Sequence, residues 1–405
     1  YLAGRMLLIF VFLFCIYLVW LISNNIWGSE VGLVSAFLFG ISPVLNMWNH
    51  FGYYYGFTLL FVLLSFLYSL KIYTIGNLKY YIASAICAAI AMSIVSLYGV
   101  AIVFMIIAGL MTLLDGKRLY EVLKNIAVGI MVLVGIFIAI HIFLILDKET
   151  FLKVLRFEGG DFKFSPDFFY FVFASLKSGL GWPFLLSALA GYILLCVKKK
   201  DSNSLFFITS IIIPFLIFCC FSPWYIRRGI FLIPFMAIFA GIFLVYAAKR
   251  YKILGGALVF FVCLLTFFYS AACTALFVQR NIREEAGQWI NMNIPEGTKI
   301  GMLQMPAPYR TPPFQFYRYH IIPIPWDSEK LKKEKPDYFV ISEYETLWQV
   351  TENMDNFFRY YSPVKIFQKP ACFCGIKFNR TQFSAKDVWV VNPYIIIYKR
   401  NYVEE

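Results

Sequence analysis

Ten apolar runs follow one another across residues 1–278, and they constrain the fold of the chain more than any other feature of its sequence. A helix needs about 20 mostly apolar residues to cross a bilayer. The runs are of roughly this length and occupy residues 6–22, 31–48, 51–70, 81–98, 99–114, 126–146, 182–197, 205–221, 230–247 and 253–278. The sequence therefore predicts an α-helical polytopic membrane bundle with about ten spans.

The composition separates two regions. Hydrophobic residues make up 60% of the 405-residue chain and charged residues 15%, whereas soluble domains contain about 45–50% apolar residues. The excess is confined to residues 1–278, and residues 279–405 contain charged residues, Asn and Pro at ordinary frequency. A transmembrane region over 1–278 is thus predicted to precede an aqueous domain over 279–405.

The region 279–405 alternates helical and strand-like patterns. Residues 280–293 carry apolar side chains at helical spacing and are followed by Pro295 and Gly297, and further helices are predicted at 328–334 and 343–358. Short apolar runs bounded by Pro, Gly or charge predict strands at 299–303, 320–324, 338–341 and 388–398. This pattern predicts a small α/β domain.

Basic residues cluster in every second loop between the apolar runs, and short cytoplasmic loops are enriched in such residues. The clusters are Lys71 with Lys79; Lys117, Arg118 and Lys124; Lys198, Lys199 and Lys200; and Lys249, Arg250 and Lys252. The alternation places the turn at 49–50, the loop 147–181, the segment 222–228 and the extracytoplasmic α/β domain outside a cell (plasma) membrane. Many of the residues behind the formal charge of +13 thus lie in short loops next to membrane lipids, and this placement argues against nucleic-acid binding.

Arg227 and Arg228 stand at the predicted outer rim, before the apolar run that contains Pro234. Guanidinium groups stay charged and bind phosphate oxygens through two parallel hydrogen bonds, so the pair predicts a site for a lipid-linked phosphate. The alternative is that both side chains reach lipid headgroups without binding a substrate. Arg5 opens the first span at the same predicted face and is a further candidate cation.

An aromatic and polar turn emerges at the same predicted face. Rings of this kind stack on sugars, and Asn49 and His50 can bond sugar hydroxyls, so these two residues and Tyr55 are candidate substrate-binding residues. Tyr and Trp also gather at membrane interfaces for purely physical reasons, which is the alternative for the tyrosines. His50 is therefore the more informative member.

A carboxylate is the usual group for deprotonating an acceptor hydroxyl, and the predicted outer loop 147–181 contains several. Glu158 and Asp161, three residues apart across a double glycine, form the best local pair, and solvated loop charges are the alternative. The 3 histidines are scattered, so no metal-ligand set is assigned, and a divalent metal ion is left open as a cofactor. The absence of a P-loop, a Rossmann glycine pattern or a Ser-His-Asp constellation argues against nucleotide-driven pumping and soluble hydrolase chemistry.

The chain resembles the type C glycosyltransferases, specifically bacterial and archaeal relatives of the dolichyl-phosphate-mannose protein mannosyltransferases, over nearly its full length. In the membrane region the resemblance rests on Gly4-Arg5 opening a span, on the Pro43 span that emerges at Asn49 and His50, and on Arg227-Arg228 ahead of Pro234. In the outer domain it rests on residues 283–290, 293–300 and 336–341.

The resemblance implies a glycosyltransferase that moves a hexosyl or pentosyl group from a polyprenyl-phosphate sugar to a protein, lipid or glycan acceptor on the extracytoplasmic side. It also implies an acidic base in the first outer loop, which would lie before Tyr1. The chain is therefore predicted to be truncated at its N-terminus, and its catalytic residue is unassigned. Many relatives carry Asp just after the outer turn, where this chain has Tyr53, Tyr54 and Tyr55.

Two other functions are alternatives, namely a membrane transporter or lipid flippase and a non-catalytic membrane scaffold. A transporter predicts charged or broken helices at mid-membrane depth and paired repeats. Here the spans contain almost no ionisable residue apart from His141, and no internal repeat is found. A scaffold would be favoured if the upstream stretch held no outer-loop carboxylate.

Overall fold

The computed structural model describes residues 2–50, 54–147, 149–150, 152, 161–162, 171–198, 202–219, 221–222, 229–307, 311–325, 328–346, 357, 359–379 and 392–401. The chain divides into two compact units, Tyr1–Ser270 and Ala271–Glu405. The described residues of the first unit are helical apart from one short strand pair, and the second unit contains a five-stranded sheet. This order agrees with the predicted helical bundle followed by an α/β domain, and the division at Ser270 falls before the predicted boundary at 278.

The helices that begin in the first unit follow the apolar runs. In chain order they are α1 (Leu2–Trp27), α2 (Ser29–Gly40), α3 (Pro43–His50), α4 (Tyr55–Ile75), α5 (Leu78–Ile94), α6 (Ile102–Leu114), α7 (Leu119–Leu146), α8 (Trp182–Lys198), α9 (Ser202–Cys219) and α10 (Ile233–Ala275). Shorter helical turns are Ser96–Ala101, Phe171–Leu176, Lys177–Leu180 and Ile230–Leu232. Strands β1 (Asp161–Phe162) and β2 (Phe221–Ser222) pair antiparallel.

Several of these helices have the length and apolarity of membrane spans. In the part of the chain that the structure describes, five qualify alone: Ala3–Trp27, Tyr55–Ile75, Ser96–Leu114, Leu119–Phe143 and Ile230–Ala275. Two bent pairs qualify if each is one span: Ser29–Gly40 with Pro43–His50, and Ala174–Leu180 with Trp182–Val197. The shorter apolar helices are Leu78–Ile94 and Ser202–Phe218. These are the helices of a multi-pass membrane protein, although helix length and composition do not establish the predicted count of ten spans.

Helix α10 is broken at Lys252, whose φ of 38° and ψ of −97° are not helical. A Cβ atom added to Gly255 would lie 2.1 Å from the carbonyl oxygen of Ala247. In one straight helix, residues eight positions apart are separated by about 12 Å, so the chain turns back at Lys252. Helix α10 is therefore two helices joined by a tight turn, as the separate apolar runs at 230–247 and 253–278 predict.

Aromatic packing joins the helices around α4. The ring of Phe66 lies 5.3 Å from Phe104 of α6, 5.7 Å from Phe206 of α9 and 5.1 Å from Phe235 of α10, measured between ring centroids. Each of these four side chains is buried. Because aromatic pairs in these geometries attract one another beyond simple burial, α4 is held at the centre of the first unit.

The second unit contains a mixed sheet with strand order β4-β3-β5-β9-β6. The strands are β3 (Lys299–Met302), β4 (His320–Pro323), β5 (Tyr338–Ser342), β6 (Tyr361–Phe367) and β9 (Ile395–Arg400), and a hairpin consists of β7 (Ala371–Phe373) and β8 (Ile376–Phe378). Strand β3 is parallel to β4 and β5, and β9 is antiparallel to β5 and β6. Helices α11 (Ile282–Asn293) and α12 (Ser328–Glu334) contribute to two separate apolar cores.

The predicted elements of this unit are confirmed at α11, α12, β3, β4 and β5. The final strand, predicted from 388, begins at Ile395, and the described residues 392–394 before it are not in a strand. Residues 388–391 lie outside the described range. The helix predicted at 343–358 is present at Glu343–Thr346, and 347–356 is also outside the described range. Strand β6 was not predicted because Pro363 interrupts its pattern, and an edge strand tolerates such a proline.

Candidate functional site

Helix α3 carries the predicted outer turn at its last two residues. It begins at Pro43, and proline is favoured in the first helical turn because the missing N–H would have no partner there. Helices α2 and α3 meet at a bend of 48°. Asn49 and His50 therefore lie at the C-terminal end of a short helix that is set off from the axis of α2.

The structure brings Arg5, Asn49, His50 and Tyr55 together, and we call these four residues the rim cluster. Arg5 of α1 is close enough to His50 for its positive charge to act on the imidazole. Asn49 lies beside the start of α4, because its Oδ1 atom would be 3.3 Å from a Cβ atom at Gly56. Arg5 thus lies at the turn that holds the other three predicted residues, and the roles of all four as substrate ligands stay a prediction.

Asn49 offers a hydrogen-bond donor within the rim cluster. Its side chain is partly buried, and its Nδ2 atom is buried without a hydrogen-bond partner among the residues that the structure describes. A buried donor left unsatisfied costs about 1–3 kcal/mol. A ligand oxygen that reached Nδ2 would recover this cost, so the amide is a candidate contact for a sugar hydroxyl or a phosphate.

The two tyrosines next to the rim differ in exposure. Tyr55 is 9% exposed, and its ring meets the edge of Trp48 at 5.6 Å between centroids. Tyr54, which the sequence did not single out, is 43% exposed and lies 4.9 Å from Tyr55. Tyr55 therefore contributes packing, and Tyr54 presents the more accessible ring. The signal that distinguishes them, burial within a helix start, is not visible in a run of three tyrosines.

Two further predicted segments meet at the β1–β2 pair. Asp161 pairs with Ser222, and Phe162 pairs with Phe221. The loop that contains Asp161 therefore contacts the segment that leads to the two predicted arginines. Glu158, Arg227 and Arg228 themselves lie outside the described residues, and of Asp161 only the backbone is described.

An apolar crevice of about 510 Å³ lies near the end of α5 and the start of α6. Its described lining contains one residue with a polar side chain, Ser96. The others are Met92, Leu97, Gly99, Val100, Ile102, Val103, Leu133, Ile217 and Phe218. The crevice can hold a hydrocarbon chain and offers almost nothing to a polar ligand.

The segment that contains the predicted arginine pair is flanked by Phe218, which lines this crevice, and by Phe231, which packs against Phe218. Phe218 lines the crevice, and its ring lies 5.6 Å from the ring of Phe231. Phe231 in turn lies 5.6 Å from Tyr98, which stands between lining residues Leu97 and Gly99. The described residues on either side of the segment are therefore joined by a ring contact, and Phe231 comes three residues after Arg228 in the sequence.

Metal binding finds no specific support in the described part of the chain. Among the residues that the structure describes, no three or more His, Cys, Asp or Glu side chains are grouped closely enough to hold a metal ion. The divalent metal ion left open by the sequence therefore stays a prediction.

Comparison with family models and with curated protein sequences gives no match. Among solved structures, the chain is similar to the oligosaccharyltransferase of Archaeoglobus fulgidus in its apo form, with a TM-score of 0.48, 12% identity and coverage of 96% of this chain and 66% of that protein. The chain is also similar to the oligosaccharyltransferase AglB of the same organism, in complex with an inhibitory peptide and a dolichol-phosphate. Here the TM-score is 0.46 and the identity 11%, and the match covers 94% of this chain and 63% of that protein.

The chain is also similar to the arabinofuranosyltransferase AftD from mycobacteria, with a TM-score of 0.45, 11% identity and coverage of 99% of this chain and 34% of that protein. The chain thus spans less than two thirds of the archaeal proteins and about one third of the mycobacterial one. These structural neighbours are glycosyltransferases, the class that the sequence resembles.

Proposed function

We propose that this chain is part of a membrane glycosyltransferase that takes a sugar from a polyprenyl-phosphate carrier and transfers it to an acceptor on the extracytoplasmic side. The observation that supports this most is the apolar crevice, whose lining residue Phe218 precedes the segment with Arg227 and Arg228. Phe231, whose ring packs against Phe218, follows that segment. A carrier lipid has the matching chemistry, with a long apolar chain next to a phosphate.

In this proposal the crevice orients the carrier, and its affinity comes from the headgroup. The bilayer interior is as apolar as the crevice, so moving a prenyl chain from lipid into the crevice contributes little free energy. Hydrogen bonds to a charged group contribute about 1.5–3 kcal/mol each. Loss of one arginine–phosphate contact should therefore weaken binding about tenfold or more, since 1.4 kcal/mol corresponds to a factor of ten.

The proposed reaction is an inverting substitution at the anomeric carbon. A nucleophilic atom of the acceptor forms a bond to that carbon while the bond to the carrier phosphate oxygen breaks, and the polyprenyl phosphate leaves with the electron pair. A carboxylate takes the proton of the acceptor, and the residue that carries it is unassigned. Arg227 or Arg228, with Arg5, would stabilise the negative charge that develops on the leaving phosphate.

Transfer of radiolabelled sugar from a panel of polyprenyl-phosphate sugars, in membranes that contain the complete protein, tests this proposal. We expect transfer from one donor, and we expect Arg227→Ala/Arg228→Ala to abolish it without loss of folded protein. The matched control is Arg118→Ala/Arg250→Ala, which removes two exposed arginines of predicted inner loops. Full activity of the Arg227→Ala/Arg228→Ala variant would overturn the phosphate assignment.

A transporter or lipid flippase is the second candidate, and one observation favours it. The two bent helical pairs, at 48° and 113°, are the kind of broken helix found at transporter binding sites. The same membranes distinguish the two functions. If a fluorescent polyprenyl-phosphate analogue moves between leaflets and no donor gives sugar transfer, the function is that of a flippase and not of a glycosyltransferase.

A further inference from the structure

Two bent helical pairs pack against each other in the first unit. The first pair is α2 with α3, and the second is Ala174–Leu180 with Trp182–Val197, bent by 113°. The contact between them is made by α3 and the short helix Lys177–Leu180. Helix α3 carries two members of the rim cluster, so whatever fixes this contact also fixes the position of Asn49 and His50.

Consecutive residues of α10 bond one member of each bent pair. The Ser270 hydroxyl accepts a hydrogen bond from Asn46 Nδ2 of α3 at 2.8 Å. The Tyr269 hydroxyl donates to the Ser178 carbonyl of the second pair at 2.6 Å. Adjacent side chains on a helix point about 100° apart, so one turn of α10 reaches both pairs at once.

Each bond lies at the break of its pair. The Asn46 amide also donates to the carbonyl of Gly40, the last residue of α2, at 3.4 Å, so it spans the bend between α2 and α3. On the other side, a Cβ atom at Gly181 would lie 3.2 Å from the Tyr269 ring, and Gly181 has a φ of +82° where the second pair bends. Tyr269 and Ser270 therefore contact both pairs where regular helical hydrogen bonding is interrupted.

Both bonds are partly buried, and each has one buried partner. Ser270 is 4% exposed and Ser178 is 6% exposed. In a low-dielectric interior a hydrogen bond is stronger than in water, and a group that loses its partner there is costly to leave unpaired. Removal of either hydroxyl should therefore loosen the local arrangement of helices.

We propose that Tyr269 and Ser270 are positioning residues that hold the two bent pairs together and so fix the end of α3 for catalysis. This inference rests on the proposed glycosyltransferase function and on the assignment of Asn49 and His50 to its site. Tyr269 and Ser270 act through α3 and Lys177–Leu180, and they contact no substrate themselves. Their loss should lower kcat, and it should also raise the KM for the polyprenyl-phosphate sugar, because Asn49 and His50 are proposed contacts of the bound donor.

The test compares Ser270→Ala and Tyr269→Phe with Thr266→Val in the complete protein. Thr266 lies one turn before Ser270, is 1% exposed, and has a hydroxyl without a hydrogen-bond partner among the described residues. Thr266→Val is therefore a matched control: it removes a buried hydroxyl from the same helix and breaks no described hydrogen bond. Tyr269→Phe keeps the ring against Gly181 and removes only the donor.

Two measurements are made on each variant, namely hydrogen exchange of the amides in 46–50 and 178–181 and the kinetics of sugar transfer. We expect faster exchange in the first segment for Ser270→Ala and in the second for Tyr269→Phe, with kcat reduced about tenfold for a bond of roughly 1.4 kcal/mol. Thr266→Val should change neither quantity. Ser270→Thr, which retains the hydroxyl, should restore part of the activity.

The outcomes separate the positioning role from the proposed function. Unchanged exchange in Ser270→Ala and Tyr269→Phe would show that these bonds do not hold the pairs, whatever the activity. Faster exchange with unchanged kcat would overturn the positioning role. No transfer by the wild-type protein from any donor would overturn the proposed function and the positioning role with it, while the exchange data would still report on the bonds.

Discussion

At the residue scale, the rim cluster combines groups that suit an oxyanion. The Arg5 guanidinium carries a permanent charge that acts on His50, and Asn49 Nδ2 is a buried donor without a described partner. A phosphate or a sugar hydroxyl could use both the cation and the donor. The residue types were visible in the sequence, but their juxtaposition required the bend between α2 and α3.

Replacement of Arg5 tests the charge of the rim cluster. We expect Arg5→Ala to weaken binding of polyprenyl phosphate about tenfold, because it removes about 1.4 kcal/mol or more of charge-assisted bonding. Arg5→Lys should retain part of the affinity, since it keeps the charge and loses the two-pronged geometry. Binding would be measured by titration of the detergent-solubilised protein. Equal affinity of Arg5→Ala and wild type would remove Arg5 from the site.

At the element scale, small residues and hydroxyls set how closely the helices pack. Ser65 and Ser69 of α4 share hydrogen bonds with Ser84 of α5, each at 3.0 Å between hydroxyl oxygens, and all three are fully buried. The sequence predicts the helices that carry them. It does not predict which hydroxyls meet, because that depends on the rotation of each helix about its axis.

Ser84→Ala tests how much the hydrogen bonds among these three serine hydroxyls stabilise the protein. Ser84 bonds both serines of α4, so its loss should destabilise the protein by about 0.6 kcal/mol or more, since interhelical hydrogen bonds in membranes contribute about 0.6 kcal/mol on average and about 1.7 at most. Ser210→Ala is the control, because Ser210 is buried and its hydroxyl has no hydrogen-bond partner in the described part of the chain. Thermal unfolding in detergent would measure both. Equal unfolding temperatures for the two variants would show that the bonds between α4 and α5 add no stability.

The turn at Lys252 gives a second prediction at this scale. Gly255→Ala would place its Cβ atom 2.1 Å from the Ala247 carbonyl oxygen, whereas a Cβ atom at the neighbouring Gly256 meets no atom within 4 Å. We expect Gly255→Ala to lower the yield of folded protein and its unfolding temperature. Gly256→Ala should leave both unchanged or slightly improved, since alanine favours helix. Similar behaviour of the two variants would contradict a tight turn at Lys252.

At the scale of the whole molecule, the order of a helical unit and a sheet unit follows from composition alone. Apolar runs predict nearly every helix of the first unit, because a span must be long and apolar wherever it packs. The hairpin β7–β8 was not predicted: its turn at Cys374 and Gly375 has φ of 48° and 81°, and an isolated glycine gives little signal for it. The crevice was also invisible, because its residues come from four separate helices and one helical turn.

The predicted orientation can be tested with a native thiol. Cys374 is exposed in the second unit, which the alternation of basic loops places outside the cell. We expect a membrane-impermeant maleimide to label the protein in intact cells and Cys372→Ser/Cys374→Ser to lose that label. Labelling that appears only after the cells are permeabilised would place the second unit in the cytoplasm and reverse every predicted loop.

The most direct test of the central claim is photo-crosslinking with a polyprenyl phosphate that carries a diazirine in its prenyl chain. Crosslinked peptides from the complete protein would be mapped by mass spectrometry, with and without excess unlabelled polyprenyl phosphate. We predict adducts at crevice residues such as Leu97, Val100 and Phe218, displaced by the competitor and lost in Arg227→Ala/Arg228→Ala. Adducts spread over the lipid-facing side chains of α7, with no displacement by competitor, would contradict a carrier-lipid site in this crevice.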